Sequence, residues 1–226
     1  MKAPHRRRPG AVADLSADRA RALTLTPVSR ETLARLDRFA ELLSRWQRRV
    51  HLVAPSTVPQ LWTRHIADSL QLLPLMPGAR VWCDLGSGGG FPGMVIACVL
   101  AGQPGAKVHL IESNAKKAAF LREAQRLTAA PVVVHCVRAE NFVDSPPPGI
   151  EVVTARAVAS LKVLLDLSAP LLQAGARGLF LKGQDVDIEM ADASRYWKFE
   201  ANLVSSKTDP RARIVVVDHA QRRHST

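Results

Sequence analysis

The chain has 226 residues, 47% hydrophobic and 23% charged, which suits one α/β domain with a proper core and excludes a disordered chain. No run reaches the roughly 20 apolar residues of a membrane span, and the scattered Cys83, Cys98 and Cys136 read as buried thiols in a reducing cytoplasm, not as a disulfide framework or a metal site. Lysine and arginine exceed the acidic residues by 31 − 20 = 11, an excess that suits a polyanionic partner because phosphate contacts release condensed counterions.

Residues 1–28, with Lys2, Arg6, Arg7, Arg8 and several prolines, read as a flexible basic lead-in. No apolar stretch follows the basic residues, so no secretory signal is expected. Residues 29–78 read as a helical extension. Ser29 caps a helix to about Arg49, with Leu33, Leu36, Phe39, Leu43 and Trp46 on one apolar stripe and Arg45, Arg48 and Arg49 beside it. A second helix, Thr57 to Leu73 with Ser56 near its cap, stops at Pro74 and Pro77-Gly78. Over residues 79–218 the rhythm alternates strand and helix, which predicts a Rossmann-like α/β domain with a mostly parallel sheet. Strands are expected at 80–85, 107–111, 132–137, 150–154 and 178–181, and helices at 91–100, 114–127, 161–172 and from 184. Residues 199–205 and 213–218 form a closing antiparallel hairpin, and 219–226 a basic tail.

The segment DLGSGGGFPG, residues 84–93, joins the first of these strands to its helix, where doubly wound sheets bind nucleotide-like ligands. Its glycines permit two cofactors. Gly86-x-Gly88-x-Gly90 is the spacing of methyltransferases. Gly88-x-Gly90-x-x-Gly93 also meets the dinucleotide fingerprint, with Glu112 lying 112 − 93 = 19 residues on. Asp84 favours S-adenosylmethionine: a carboxylate just before the first glycine repels a pyrophosphate, whereas S-adenosylmethionine brings a sulfonium and an ammonium group. Glu112 accepts hydrogen bonds from ribose hydroxyls on either reading.

Other residues fall at the same sheet edge. Arg138-Ala139-Glu140-Asn141 follows the third strand, where a backbone N–H beside an acidic side chain can read an adenine edge; a helix-capping cluster accounts for it nearly as well. Arg156, after the fourth strand, can hold a carboxylate or phosphate bidentately or form a structural ion pair. His65 and Asp68 share a helix face and read foremost as a pair anchoring the extension, with RNA contact as the lesser reading. Lys182 ends a strand within reach of a phosphate, or is simply solvated. Trp46 and Trp62 read as core more than as stacking platforms.

Taken together, Trp46 to Leu52, RHIADSL (64–70), the glycine loop, Glu112-Ser113-Asn114, Arg138-Ala139-Glu140, Arg156-Ala157-Val158-Ala159 and Leu181-Lys182-Gly183 resemble the RsmG (GidB) family of bacterial 16S rRNA guanine-N7 methyltransferases. The resemblance spans roughly residues 42–218. It implies a class I S-adenosylmethionine-dependent methyltransferase fold with an N-terminal helical extension. It also implies cofactor contacts at Gly86, Phe91, Glu112, Ser113, Asn114, Ala139, Glu140 and Arg156, to which the loop reading adds Asp84 and Gly88. The implied substrate is 16S rRNA in the small ribosomal subunit or its precursor, at the guanine usually numbered 527. Where the family commonly has Asn and Asn-Leu-Thr, this chain has Gln47 and His51-Leu52-Val53.

Guanine N7 carries a lone pair and no proton, so it needs no general base, and no catalytic residue is assigned. RNA contacts are expected from Arg45, Arg48 and Arg49, with His65 and Lys182. A cytoplasmic monomer without a metal or a membrane contact is expected. Two alternatives stand beside this reading. An NAD-dependent oxidoreductase needs a proton-transfer residue that the sequence does not place. A non-catalytic RNA-binding protein on a methyltransferase fold is disfavoured by the intact loop and Glu112.

Overall fold

Short runs of buried Val, Leu and Ile build the middle of a seven-stranded sheet in the computed structural model, which describes residues 15–223. The strands are β1 (Val81–Leu85), β2 (Lys107–Ile111), β3 (Val132–His135), β4 (Val152–Arg156), β5 (Arg177–Lys182), β6 (Trp197–Ser205) and β7 (Arg213–Arg222). Their order is β3-β2-β1-β4-β5-β7-β6. The first five run parallel, and β7 pairs antiparallel with β5 and β6. This is the architecture that the strand–helix alternation predicts.

Helices cover both faces, as a sheet buried on two sides requires. One face carries α2 (Arg30–Trp46), α4 (Gly93–Leu100) and α5 (Ala115–Thr128), around a core that includes Phe39, Met94 and Phe120. The other carries α6 (Ala139–Val143), α7 (Leu161–Gln173) and α8 (Val186–Ser194), around Leu164, Leu165 and Phe180. Ser29 caps α2 through its side chain, accepting from Thr32 N.

Several elements depart from expectation. The lead-in read over 1–28 is helical in its second half: α1 spans Ser16–Leu25, and residues 1–14 lie outside the described ones. The cause is tertiary. Asp18 accepts hydrogen bonds from Trp62 N, Thr63 N and Thr63 Oγ1, while Arg19 pairs with Asp37 at 2.7 Å and lies over the Trp62 ring. The single helix expected over 57–73 is broken into a 3-10 segment (Pro55–Gln60), a π-helical turn (Trp62–Ala67), the turn α3 (Asp68–Leu70) and a 3-10 turn (Leu73–Leu75). Pro59 and Pro74, with no N–H to donate, account for the irregular ends, and Ala54, not Ser56, stands at the cap. The tail expected from 219 starts later, because β7 stays paired with β6 through Arg222. Cys83 and Cys98 are buried, but Cys136 is exposed just beyond β3.

Candidate active site

Register brings the strand ends together. Leu85 lies opposite Ile111 and Ala155, and Arg156 opposite Leu181. The glycine loop after β1, Glu112 after β2, Arg156 at the end of β4 and Lys182 at the end of β5 therefore share the carboxyl edge. There the chain order reverses between β1 and β4, the place for a ligand in an open α/β sheet.

Gly86 (φ +69°) and Gly88 (φ +54°) take left-handed backbone conformations that favour glycine. They face different things. A Cβ on Gly86 would lie 2.7 Å from Val158 Cγ2, whereas one on Gly88 would meet nothing nearer than the Gly86 carbonyl oxygen at 3.7 Å. Gly88 is thus the glycine that borders open space. Beside it Glu112, only 7% exposed, accepts from Gly88 N at 2.8 Å and from Asn114 N at 2.7 Å. Asn114 caps α5 by accepting from Lys116 N and Lys117 N, and Ser113 next to it is exposed. One strand further, Ala139 and Glu140 open α6, with Glu140 paired to Arg138 at 3.5 Å.

Asp84, read from the sequence as a ligand-facing charge, lies beneath the loop at 1% exposure. Its carboxylate accepts from Gly93 N (3.1 Å) and Thr154 Oγ1 (3.0 Å). Burial pushes its pKa up to about 6 against the pull of those bonds. Phe91 is also buried, its ring packed by Phe39, by His65 and by the Arg156 guanidinium at 5.2 Å.

Arg156 ties the sheet to the extension. It donates to the Arg64 carbonyl (3.0 Å) and to His65 Nδ1 (2.6 Å), and lies 3.6 Å from Asp68. Guanidinium always donates, so Nδ1 accepts, and the proton of His65 sits on Nε2 toward Thr57 Oγ1 at 2.8 Å. Burial, then the charges of Arg156 and Arg64, push the His65 pKa down to about 3. Burial raises that of Asp68 despite a bond from Thr208 Oγ1 at 2.7 Å. His65 and Asp68 meet through Arg156. Lys182 donates to Glu189 Oε2 (2.6 Å) and to the Ala159 carbonyl (2.7 Å), so it is engaged and not a solvated strand end.

These groups wall a cleft of about 760 Å³, with Thr57, Arg64, Val158, Asp185, Asp209 and Arg213 also lining it. Val158 joins it to the glycine loop. Arg45, Arg48 and Arg49 lie elsewhere, in a second cleft of about 650 Å³ between the ends of α2 and α5, shared with Trp46 and Lys116. The structure thus gathers His65, Arg156 and Lys182 at one place and the three arginines at another. Sequence reasoning gave no site role to Glu189, Val158, Thr208 or Lys116. Val158 stood in the 156–159 run, and Lys116 lies in the first turn of α5, two residues past its cap Asn114.

Comparison with known proteins bears on most of the chain. A family model described as rRNA small subunit methyltransferase G (GidB) matches residues 32–215. A Bradyrhizobium sp. (strain BTAi1) protein named ribosomal RNA small subunit methyltransferase G is 56% identical over 208 residues, 92% of this chain and 94% of that one. A Nitrobacter winogradskyi protein of the same name is 58% identical over 206 residues, covering 91% and 74%. Among solved structures, a putative O-methyltransferase from Klebsiella pneumoniae aligns with TM-score 0.58 at 16% identity over 92% of this chain and 99% of that one. The Bacillus cereus O-methyltransferase in complex with SAH gives 0.59 at 13% identity, over 92% and 99%. Such distant likeness speaks for the fold alone, an S-adenosylmethionine-dependent methyltransferase sheet with its helices. The family match is of another order: spanning most of the chain and supported by relatives more than half identical, it shows that the protein belongs to the rRNA small subunit methyltransferases G.

Proposed function

We propose that the chain transfers a methyl group from S-adenosylmethionine to N7 of a guanine in 16S rRNA, guanine 527 in the usual numbering. It does so in the cytoplasm, as a monomer, on the small ribosomal subunit or its precursor. The observation that carries this is the open space at Gly88, flanked by the Glu112 carboxylate and joined through Val158 to the 760 Å³ cleft.

The residues fit the cofactor. Gly88 leaves room for it while Gly86 lets the loop turn against Val158, Glu112 with Ser113 and Asn114 offers acceptors to its ribose, and Ala139 with Glu140 meets its adenine. Arg156 stands near the methionine end, while Asp84 and Phe91 support the loop from below. When bound, the cofactor supplies an electrophilic methyl on a sulfonium. The chain supplies placement and exclusion of water, worth several powers of ten when the reacting atoms are held in line. No base is needed, and His65 is none: both its nitrogens are engaged and it stays neutral at working pH. The carboxylates of Asp68 and Asp209 at the cleft offset the positive charge that develops on the base.

In this reading residues 79–218 carry the chemistry. Residues 29–78 bring Arg45, Arg48 and Arg49, with Lys116 from α5, to the RNA backbone, and His65 and Lys182 line the pocket for the base. The test is to map N7-methylguanine in 16S rRNA from cells with and without the protein, and to repeat the transfer with purified chain. Loss of one modified guanine without the protein is expected. An unchanged map defeats the substrate, and tight NADH binding without S-adenosylhomocysteine binding defeats the cofactor.

A further inference from the structure

Three glycines stand in a row in the loop, and the middle one has no backbone reason to be glycine. Gly88 and Gly90 have positive φ, whereas Gly89 does not. A Cβ on Gly89 would instead lie 2.8 Å from the Leu52 carbonyl oxygen and 3.3 Å from its carbonyl carbon. The Leu52 peptide, part of the N-terminal extension, is therefore pressed against the glycine loop. Gln47 holds it there. Its Oε1 accepts from Leu52 N (2.9 Å) and Val53 N (3.1 Å), and its Nε2 donates to the Val53 carbonyl (2.8 Å). One side chain thus closes the turn from the end of α2 to Val53, where Leu52 and Val53 are both buried.

We propose that Gln47 is a positioning residue for cofactor binding: it fixes the Leu52 peptide against Gly89 and makes the 47–53 turn an outer wall of the cofactor loop. This rests on the cofactor reading above.

The test measures S-adenosylhomocysteine affinity by calorimetry, and KM and kcat for methyl transfer, alongside thermal unfolding. Gln47→Leu, similar in size but without polar atoms, is expected to weaken S-adenosylhomocysteine about tenfold, raising KM for S-adenosylmethionine while kcat changes little. Gln47→Glu, which keeps the acceptor but loses the donor, falls between. Gly89→Ala weakens the ligand in the native background about tenfold, but only about twofold beside Gln47→Leu, because a released turn gives way to the new methyl group. A folded Gln47→Leu chain with native affinity, or full additivity of the two substitutions, overturns the proposal. Should Gln47→Leu not fold, Gln47→Glu paired with Gly89→Ala decides by the same criterion. A native chain that binds no S-adenosylhomocysteine at all defeats the cofactor reading instead.

Discussion

Burial strips Asp84 of water beneath the loop, and the donors there, Gly93 N and Thr154 Oγ1 among them, do not make up for it, so its pKa is pushed up to about 6. That value lies above the ordinary 3.8, so the folded chain holds the proton more tightly than the unfolded one. Stability through this group is therefore greatest at low pH and declines as pH rises from about 4 to about 6. Asp84→Asn keeps an oxygen for Gly93 N and removes the charge. It is expected to raise stability at pH 7 by on the order of 1–2 kcal/mol and to flatten the dependence between about pH 4 and 6, read by urea unfolding. A less stable variant with an unaltered slope overturns this account. The glycines give a second test. Gly86→Val meets Val158 and a positive φ, so its loss of cofactor binding reports damage to the fold as much as to the ligand space. Gly88→Ala costs about 1 kcal/mol of backbone strain and is expected to stay folded while losing at least about tenfold in S-adenosylhomocysteine affinity, measured by calorimetry. Unchanged affinity would mean that the ligand lies elsewhere. Spacing alone could not separate the two glycines, because what distinguishes them is Val158, some seventy residues downstream.

Among the elements, α1 shows how one side chain can hold a helix that periodicity does not announce. Only Ala22 of α1 is fully buried. Its anchor is Asp18, whose carboxylate takes the otherwise orphaned N–H groups of Trp62 and Thr63. Asp18→Ala is expected to cost about 1–3 kcal/mol by leaving those donors unmet, and to speed proteolysis within 16–25 while methyl transfer persists. Native protease resistance would show the anchor to be elsewhere. The five parallel strands were legible to within a residue or two: β1, β2, β4 and β5 are buried on both faces and read as nearly unbroken apolar runs, and the edge strand β3 keeps its run of valines. The broken helical stretch from Pro55 to Leu75 was not, since an apolar stripe looks alike whether the turns are 3-10, α or π. The glycine loop and Glu112 were legible from local sequence. The bonds of Arg156 to His65 and of Lys182 to Glu189 were not, because each joins two different elements: the first pair stands 91 residues apart, and the second runs from the end of β5 to α8, where no single period applies.

On the scale of the whole molecule the charge of +11 sets how RNA is gripped. Each phosphate contact in single-stranded RNA steepens the fall of log affinity with log salt by about 0.7. Replacing Arg45, Arg48 and Arg49 by alanine is expected to reduce that slope by about 2, with S-adenosylhomocysteine binding untouched. An unchanged slope would move the RNA to the other basic surfaces. The hairpin turn between β6 and β7 adds a constraint of a different kind. Gln71 donates to Ser206 Oγ and accepts from Lys207 N, and Asp68 accepts from Thr208 Oγ1. A ribosome making this chain lays down Asp68 and Gln71 some 140 residues before their partners. Until the last strands emerge, the buried carboxylate that faces Arg156 lacks one of its donors. The order of synthesis thus makes completion of the chain a condition for completing the cleft, and a nascent fragment ending before Thr208 carries the glycine loop without one finished wall of that cleft.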